Sequence, residues 1–306
     1  MTDEITFPAL WIGAERFEQA LRNSPSALQT DDMSVRVVIP EGCNIMVDAG
    51  IRLLSYTNQL QKVGKSVVVD FAGGSVGTMG YLDRMGFFEL LHSNIEVRPG
   101  RPSISKADIY RGTNPNLVEF ERINPDHEDN QLPSRLVNAL LESIGEAPRR
   151  GQLETAAFTI LGEMIGNVYE HSETGLDGYA VLQSYNSGRT VRVAVSDSGK
   201  GLLETLRPSL PTYYPALVGC GDTELLVELF RQGLSRHGKA RGSGLKAAAE
   251  RAMKFKAAMD VRLPMSYIRL VPSLGGYQAD KAIVYNNVPL IWGTHIAFDF
   301  RLDGVR

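Results

Sequence analysis

The sequence predicts an α/β first half followed by an α+β second half, the latter a mixed sheet with helices on one face. Three observations carry this expectation. Short β-branched runs alternate with helical periodicity as far as about residue 91. Residues 98–134 are then punctuated by Pro and Gly and hold the polar run Asp126–Gln131. Beyond them the order is helix, helix, two strands, a long polar stretch, a helix and terminal strands. A linker at about 125–135 therefore divides the chain into 1–125 and 126–306.

In the first half Val35–Ile39 reads as a strand stopped by Pro40 and Gly42. Ala49–Val63 carries Ile51, Leu53, Leu54, Leu60 and Val63 at helical spacing, with Gly64 at the capping position. Val67–Phe71 is the near-continuous apolar run of a buried central strand. The turn Gly73–Gly77 opens a second helical pattern from Thr78 to about Leu91. Val118–Ile123 alternates like an edge strand. In the second half, helices are expected at Leu136–Ile144 and Leu153–His171, and strands at Gly178–Tyr185 and Thr190–Ser196. A further helix runs from the turn Arg241–Gly244 to about Lys256.

Composition narrows the function. The 306 residues hold 32 Lys plus Arg against 35 Asp plus Glu, a net charge of −3. Nucleic acid is thus unexpected as the main partner, since phosphate neutralisation shows as a basic excess. Cys43 and Cys220 exclude a cysteine-built metal centre and fit a reduced, cytoplasmic setting. No uninterrupted apolar stretch of about 18 residues predicts a membrane span.

Three motifs in the second half carry chemistry. Glu163, Asn167 and His171 recur every four residues, within an arc of about 80° on one helix. The functional reading is a Mg²⁺ site with the Asn167 carbonyl oxygen as hard ligand and Glu163 as a base; the plain alternative is a solvated polar face. Asp197-Ser-Gly199-Lys-Gly201 follows the apolar strand Val191–Val195. It sets a carboxylate at a pocket mouth, able to accept from an adenine amino group, or forms an ordinary Asp-Gly turn. Gly242-Ser243-Gly244-Leu245, flanked by Lys239, Arg241 and Lys246, precedes a helix. Bared N–H groups and cations there suit phosphate; a flexible loop with solvated charges is the alternative.

With Gly293-Thr294-His-Ile296 as a fourth box, this order resembles the GHKL ATP-binding superfamily across essentially the whole second half. The resemblance implies a Bergerat-type pocket in a mixed sheet. It implies Asn167 holding Mg²⁺, Glu163 polarising the nucleophile, and Asp197 bonding the adenine amino group. Gly199 and Gly201 would line the base pocket, Gly242 and Gly244 would yield to the triphosphate, and Thr294 would reach the base through water. His171, Ser243 and Leu245 fall within the same boxes, and residues 202–241 would form a lid. His171 makes its box most similar to that of the anti-sigma-factor serine kinases. The first half resembles a STAS domain, with Thr78 standing where a phosphoacceptor would be; a generic α/β docking domain with Thr78 as an N-cap is the alternative. Histidine-kinase activity is disfavoured, since neither His92 nor His127 sits on a two-helix hairpin.

The expectation is therefore a cytoplasmic ATP- and Mg²⁺-binding regulator with a protein partner. It would act as an ATPase or a serine/threonine kinase, or else as a nucleotide sensor with slow or no turnover. The family analogy also suggests a homodimer.

Overall fold

The computed structural model describes residues 2–114, 117–145, 149–171, 174–185, 190–238 and 243–301, and it is a mixed α/β structure. The first half contributes β1 (Thr2–Thr6), β2 (Trp11–Ile12), α1 (Ala14–Arg22), β3 (Ser34–Ile39) and β4 (Asn44–Ile45). It continues with α2 (Val47–Lys62), β5 (Ser66–Phe71), α3 (Thr78–Arg84), α4 (Phe87–Leu90), β6 (Glu96–Arg98) and α5 (Lys106–Tyr110). Four strands form a parallel sheet in the order β1-β3-β5-β6, and β2 pairs with β4. Parallel neighbours need a crossover, which α2 supplies between β3 and β5. One sheet face buries Val35, Val37, Ile39, Val67 and Val69. The other carries Arg36, paired with Asp70 at 2.6 Å and Glu4 at 3.2 Å.

The single helix expected from Thr78 to Leu91 is two helices. Gly86 sits between them at φ 79°, a left-handed conformation that breaks the ladder and that a side chain would strain.

The second half contributes β7 (Leu117–Ile123), α6 (Leu132–Ile144), α7 (Arg150–His171), β8 (Gly178–Tyr185), β9 (Thr190–Ser196) and α8 (Leu202–Leu206). There follow α9 (Leu210–Tyr213), α10 (Asp222–Gln232), α11 (Ser243–Met253), β10 (Ala258–Leu263), β11 (Ser266–Ser273), β12 (Gly276–Asn286) and β13 (His295–Arg301). Seven strands pair in the order β12-β11-β10-β13-β9-β8-β7. The expected mixed sheet is corrected here, because every described pairing is antiparallel. Short connections make hairpin neighbours of β8 and β9, β10 and β11, and β11 and β12, and β13 returns between β10 and β9. Strand β7, on the first-half side of the expected division, is an edge of this sheet. A register shift between Val118 and Glu121 lets Val118 and Ile123 enter one core and Phe120 the other.

Period-two alternation sends neighbouring residues of the central strands to opposite cores. Ala180, Leu182, Val193 and Val195 pack with α6, α7, α10 and α11. Tyr179, Val181, Ala194 and Ala297 pack instead with α2. The second half's own helices thus lie on one face, while the other face is covered by the first half. Helix α2 lies between the two sheets, and fourteen of its sixteen residues are buried. The layers run four-stranded sheet, helix, seven-stranded sheet, helices. No described helix is long and apolar enough to cross a membrane.

Candidate functional site

Helix α7 is anchored by buried Ile160, Leu161, Met164, Ile165 and Val168, which leaves Glu163 and Asn167 half-buried on its rim. A narrow cleft opens beside them. Met164, Asn167 and Val168 of α7 form one wall, with Val195 and Ile296 of the sheet as floor. Gly201, Leu202 and Leu245 border it, and Asp197 and Thr294 supply its polar end. The lining is mostly apolar with a few convergent polar groups, the usual composition of a small-ligand site.

Asp197 is held from two sides. Its Oδ1 accepts the Gly199 N–H at 2.7 Å, and its Oδ2 accepts the Thr294 N–H at 3.0 Å. Its own N–H donates to the Thr294 carbonyl at 3.0 Å. Burial pushes the carboxyl up to about 6, opposed by these N–H groups and by the Thr294 hydroxyl. Gly293, at φ 87°, lies so close that a Cβ there would fall 2.2 Å from the Asp197 carbonyl oxygen. Thr294 Oγ1 in turn accepts the Leu202 N–H at 2.8 Å, tying the start of the expected lid to the same point.

The first turn of α11 meets α7 through Gly244. A Cβ at Gly244 would lie 1.8 Å from Glu163 Oε2, so only glycine lets these helices approach around that carboxylate. Burial first, and then the charge of Glu170, raises the Glu163 carboxyl. Neither Glu163 nor Asn167 has a hydrogen-bond partner among the described residues, so both retain capacity for a ligand.

The structure gathers Glu163, Asn167, Asp197, Gly201, Gly244, Leu245 and Thr294 around the cleft. Gly199 is buried behind it, giving its N–H to Asp197. Lys246 is not drawn in: it sits one helical turn from Glu250, 4.0 Å away. Lys239, Arg241 and Gly242 lie outside the described residues, as do the side chains of His171 and Ser243. Thr78 is remote from the cleft, and its hydroxyl donates to the Cys43 carbonyl. The described part of the lid, 202–238, is largely helical and is fastened by Arg207 to Asp222 at 2.5 Å and by Ser266 to Asp222 at 2.6 Å. Its far end rests on Tyr213, whose ring a Cβ at Gly238 would meet at 2.8 Å.

Sequence reasoning missed the apolar walls Met164, Val168, Val195, Leu202 and Ile296. The signal was present for Met164 and Val168, which directly follow Glu163 and Asn167 on the helix. Among the described residues no three His, Cys, Asp or Glu side chains converge as a metal cage. Mg²⁺ carried by phosphates needs only one or two protein oxygens, and Asn167 beside Glu163 meets that requirement. No family model, curated protein or solved structure matches this chain.

Proposed function

We propose that the cleft binds ATP with Mg²⁺, and that the protein hydrolyses ATP or passes its γ-phosphoryl to a protein Ser or Thr in signalling. One observation carries this reading. A doubly held carboxylate, Asp197, lines an apolar slot together with Asn167, and Glu163 lies one helical turn before Asn167 against Gly244. The resemblance of the four boxes to the GHKL superfamily supports the same assignment, and that of the first half to a STAS domain supports a regulatory, cytoplasmic setting.

In this reading the slot takes the base between Met164, Val195 and Ile296. Asp197, ionised at neutral pH, accepts from the adenine amino group, and Thr294 assists at the same edge. Asn167 offers its amide oxygen to Mg²⁺, which when bound supplies charge neutralisation at the phosphates. Glu163 accepts the proton of the attacking water or hydroxyl, and its raised pKa makes it a stronger base at neutral pH. Leu202 and the helices after it shield the reaction from water.

A second reading, an ATP sensor with slow or no turnover that controls a protein partner, is favoured by one contact. The Glu163 carboxylate lies against the first turn of α11, so it must turn away from Gly244 to act as a base. Calorimetric titration with ATP, with and without Mg²⁺, followed for product and for label on protein, tests both. Binding with product supports the enzyme, binding without product the sensor. No binding removes the assignment.

A further inference from the structure

The polar ends of the cleft are gripped from behind by the first half. Side chains alternate across the sheet, so Val195, Asp197, Thr294 and Ile296 face the cleft while Ser196 and His295 face α2. Ser196 and His295 are cross-strand partners and are fully buried. Ser55 of α2 meets Ser196 Oγ at 2.6 Å, and Ser196 Oγ bonds His295 Nδ1. His295 Nε2 lies 3.1 Å from the Trp292 carbonyl. A carbonyl can only accept, so Nε2 carries the proton, Nδ1 accepts from Ser196, and Ser196 accepts from Ser55. Burial, with the charges of Arg52 and Arg262, lowers this imidazole's pKa and keeps it neutral.

One turn further along α2, Gln59 joins the two segments that hold Asp197. Its Nε2 donates to Ser198 Oγ at 3.0 Å and to the Trp292 carbonyl at 3.0 Å. Its Oε1 accepts the Trp292 N–H at 2.8 Å. Ser198 lies between Asp197 and Gly199, and Trp292 lies two residues before Thr294. Gln59 is wholly buried, and among the described residues its side-chain amide bonds only Ser198 and Trp292.

We propose that Gln59, with Ser55, is a positioning residue of the base pocket, supplied to the second half's site by the buried helix of the first half. This rests on the adenine assignment above. Gln59 fixes the distance between the Asp197 turn and the Gly293–Thr294 turn, and hence the alignment of both N–H groups on the carboxylate. Ser55 holds the strand ends from which both turns spring. Recognition of the base is therefore a property of both halves together.

The test uses the full chain with Gln59→Leu and two readouts. The first is the ratio of ATP to ITP affinity by calorimetry, since hypoxanthine presents a carbonyl where adenine presents the amino group. The second is the titration midpoint of the Asp197 carboxyl by carbon-13 NMR. Wild type should favour ATP, and Gln59→Leu should reduce that ratio about tenfold or more, because misplacement of under an ångström is costly at such a site. The Asp197 midpoint should move further up as the Gly199 and Thr294 N–H groups lose alignment. A folded variant with an unchanged ratio and midpoint, whatever its melting temperature, overturns the proposal. If Gln59→Leu does not fold, Ser55→Ala and Ser198→Ala each remove one hydroxyl and are judged by the same two readouts, with smaller shifts in the same directions. If wild type binds neither nucleotide, the adenine assignment falls and the midpoint alone decides: movement sustains the positioning role, and constancy overturns it.

Discussion

The two faces of the seven-stranded sheet use polar groups in opposite ways. Behind the sheet, charged side chains are paired with one another, although Asp48 Oδ1, Arg52 Nη2, Arg192 Nε and Asp299 Oδ1 are buried without a hydrogen-bond partner among the described residues. Glu18 of α1, fully buried, bridges Arg52 of α2 at 3.0 Å and Arg262 of β10 at 2.8 Å. Arg192 of β9 bridges Asp48 of α2 at 3.0 Å and Asp299 of β13 at 2.9 Å. On the cleft face and among the described residues, the side chains of Glu163 and Asn167 have no hydrogen-bond partner, and Asp197 is oriented by backbone N–H groups with no cation paired to it. A buried charge with its partner in place fixes geometry, whereas a carboxylate held by backbone N–H groups keeps lone pairs that a ligand donor could use. The contrast lies across a single layer of strands.

The sharpest way to break the comparison is Glu18→Leu. It strands two guanidinium groups, and a loss of about 3–5 kcal/mol is expected in denaturant unfolding. A loss under about 1 kcal/mol would mean that the rear ion pairs do not hold the halves together. On the cleft side, Glu163→Gln should lower Mg²⁺-dependent phosphate release or transfer by about 10²–10⁴. ATP affinity should stay within about twofold, and equal loss of both would place Glu163 in binding instead.

Next in size, Asp197→Asn should weaken adenine-nucleotide binding by about ten- to a hundredfold while circular dichroism stays unchanged. Unaltered affinity would sink the pocket assignment. The smallest effect is with pH. If the Asp197 carboxylate, raised by burial to about 6, is the acceptor as proposed, adenosine affinity should fall as pH drops through that value. From pH 7 to 5 the loss should be about tenfold, with Asp197→Asn insensitive. Stability runs the other way. An acid whose folded pKa is raised binds its proton more tightly when folded, so the unliganded protein gains stability as pH falls from about 6 toward 4. A nucleotide-free melting curve flat across that window would contradict the burial of Asp197.

The strands at 178–185 and 190–196 were legible residue for residue, the first from its apolar run between Gly178 and the Asn186-Ser-Gly188 sequence, the second from Val191, Val193 and Val195 at period two. The helix bearing Glu163 and Asn167 was legible for the matching reason. The role of α2 was not. Asp48, Arg52, Ser55 and Gln59 read as the wet side of an amphipathic helix, and the second-half partners of Ser55 and Gln59 lie 139 to 233 positions away. No local pattern reports a partner at that range. Strand β1 and helix α1 were passed over, since charged residues alternate with or flank too few apolar ones to stand out.

The position of α2 between two sheets has a consequence for how the chain can be divided. A cut near residue 125 leaves one fragment with Tyr179, Val181, Ala194 and Ala297 uncovered and the other with a bare side of α2. Two such surfaces, each apolar and studded with half of an ion-pair set, are made to find each other. Fragments 1–125 and 126–306 should be poorly soluble apart and should reassemble when co-expressed. The inheritable unit is then the whole chain, and neither half could be exchanged for a stranger's without its matching seam.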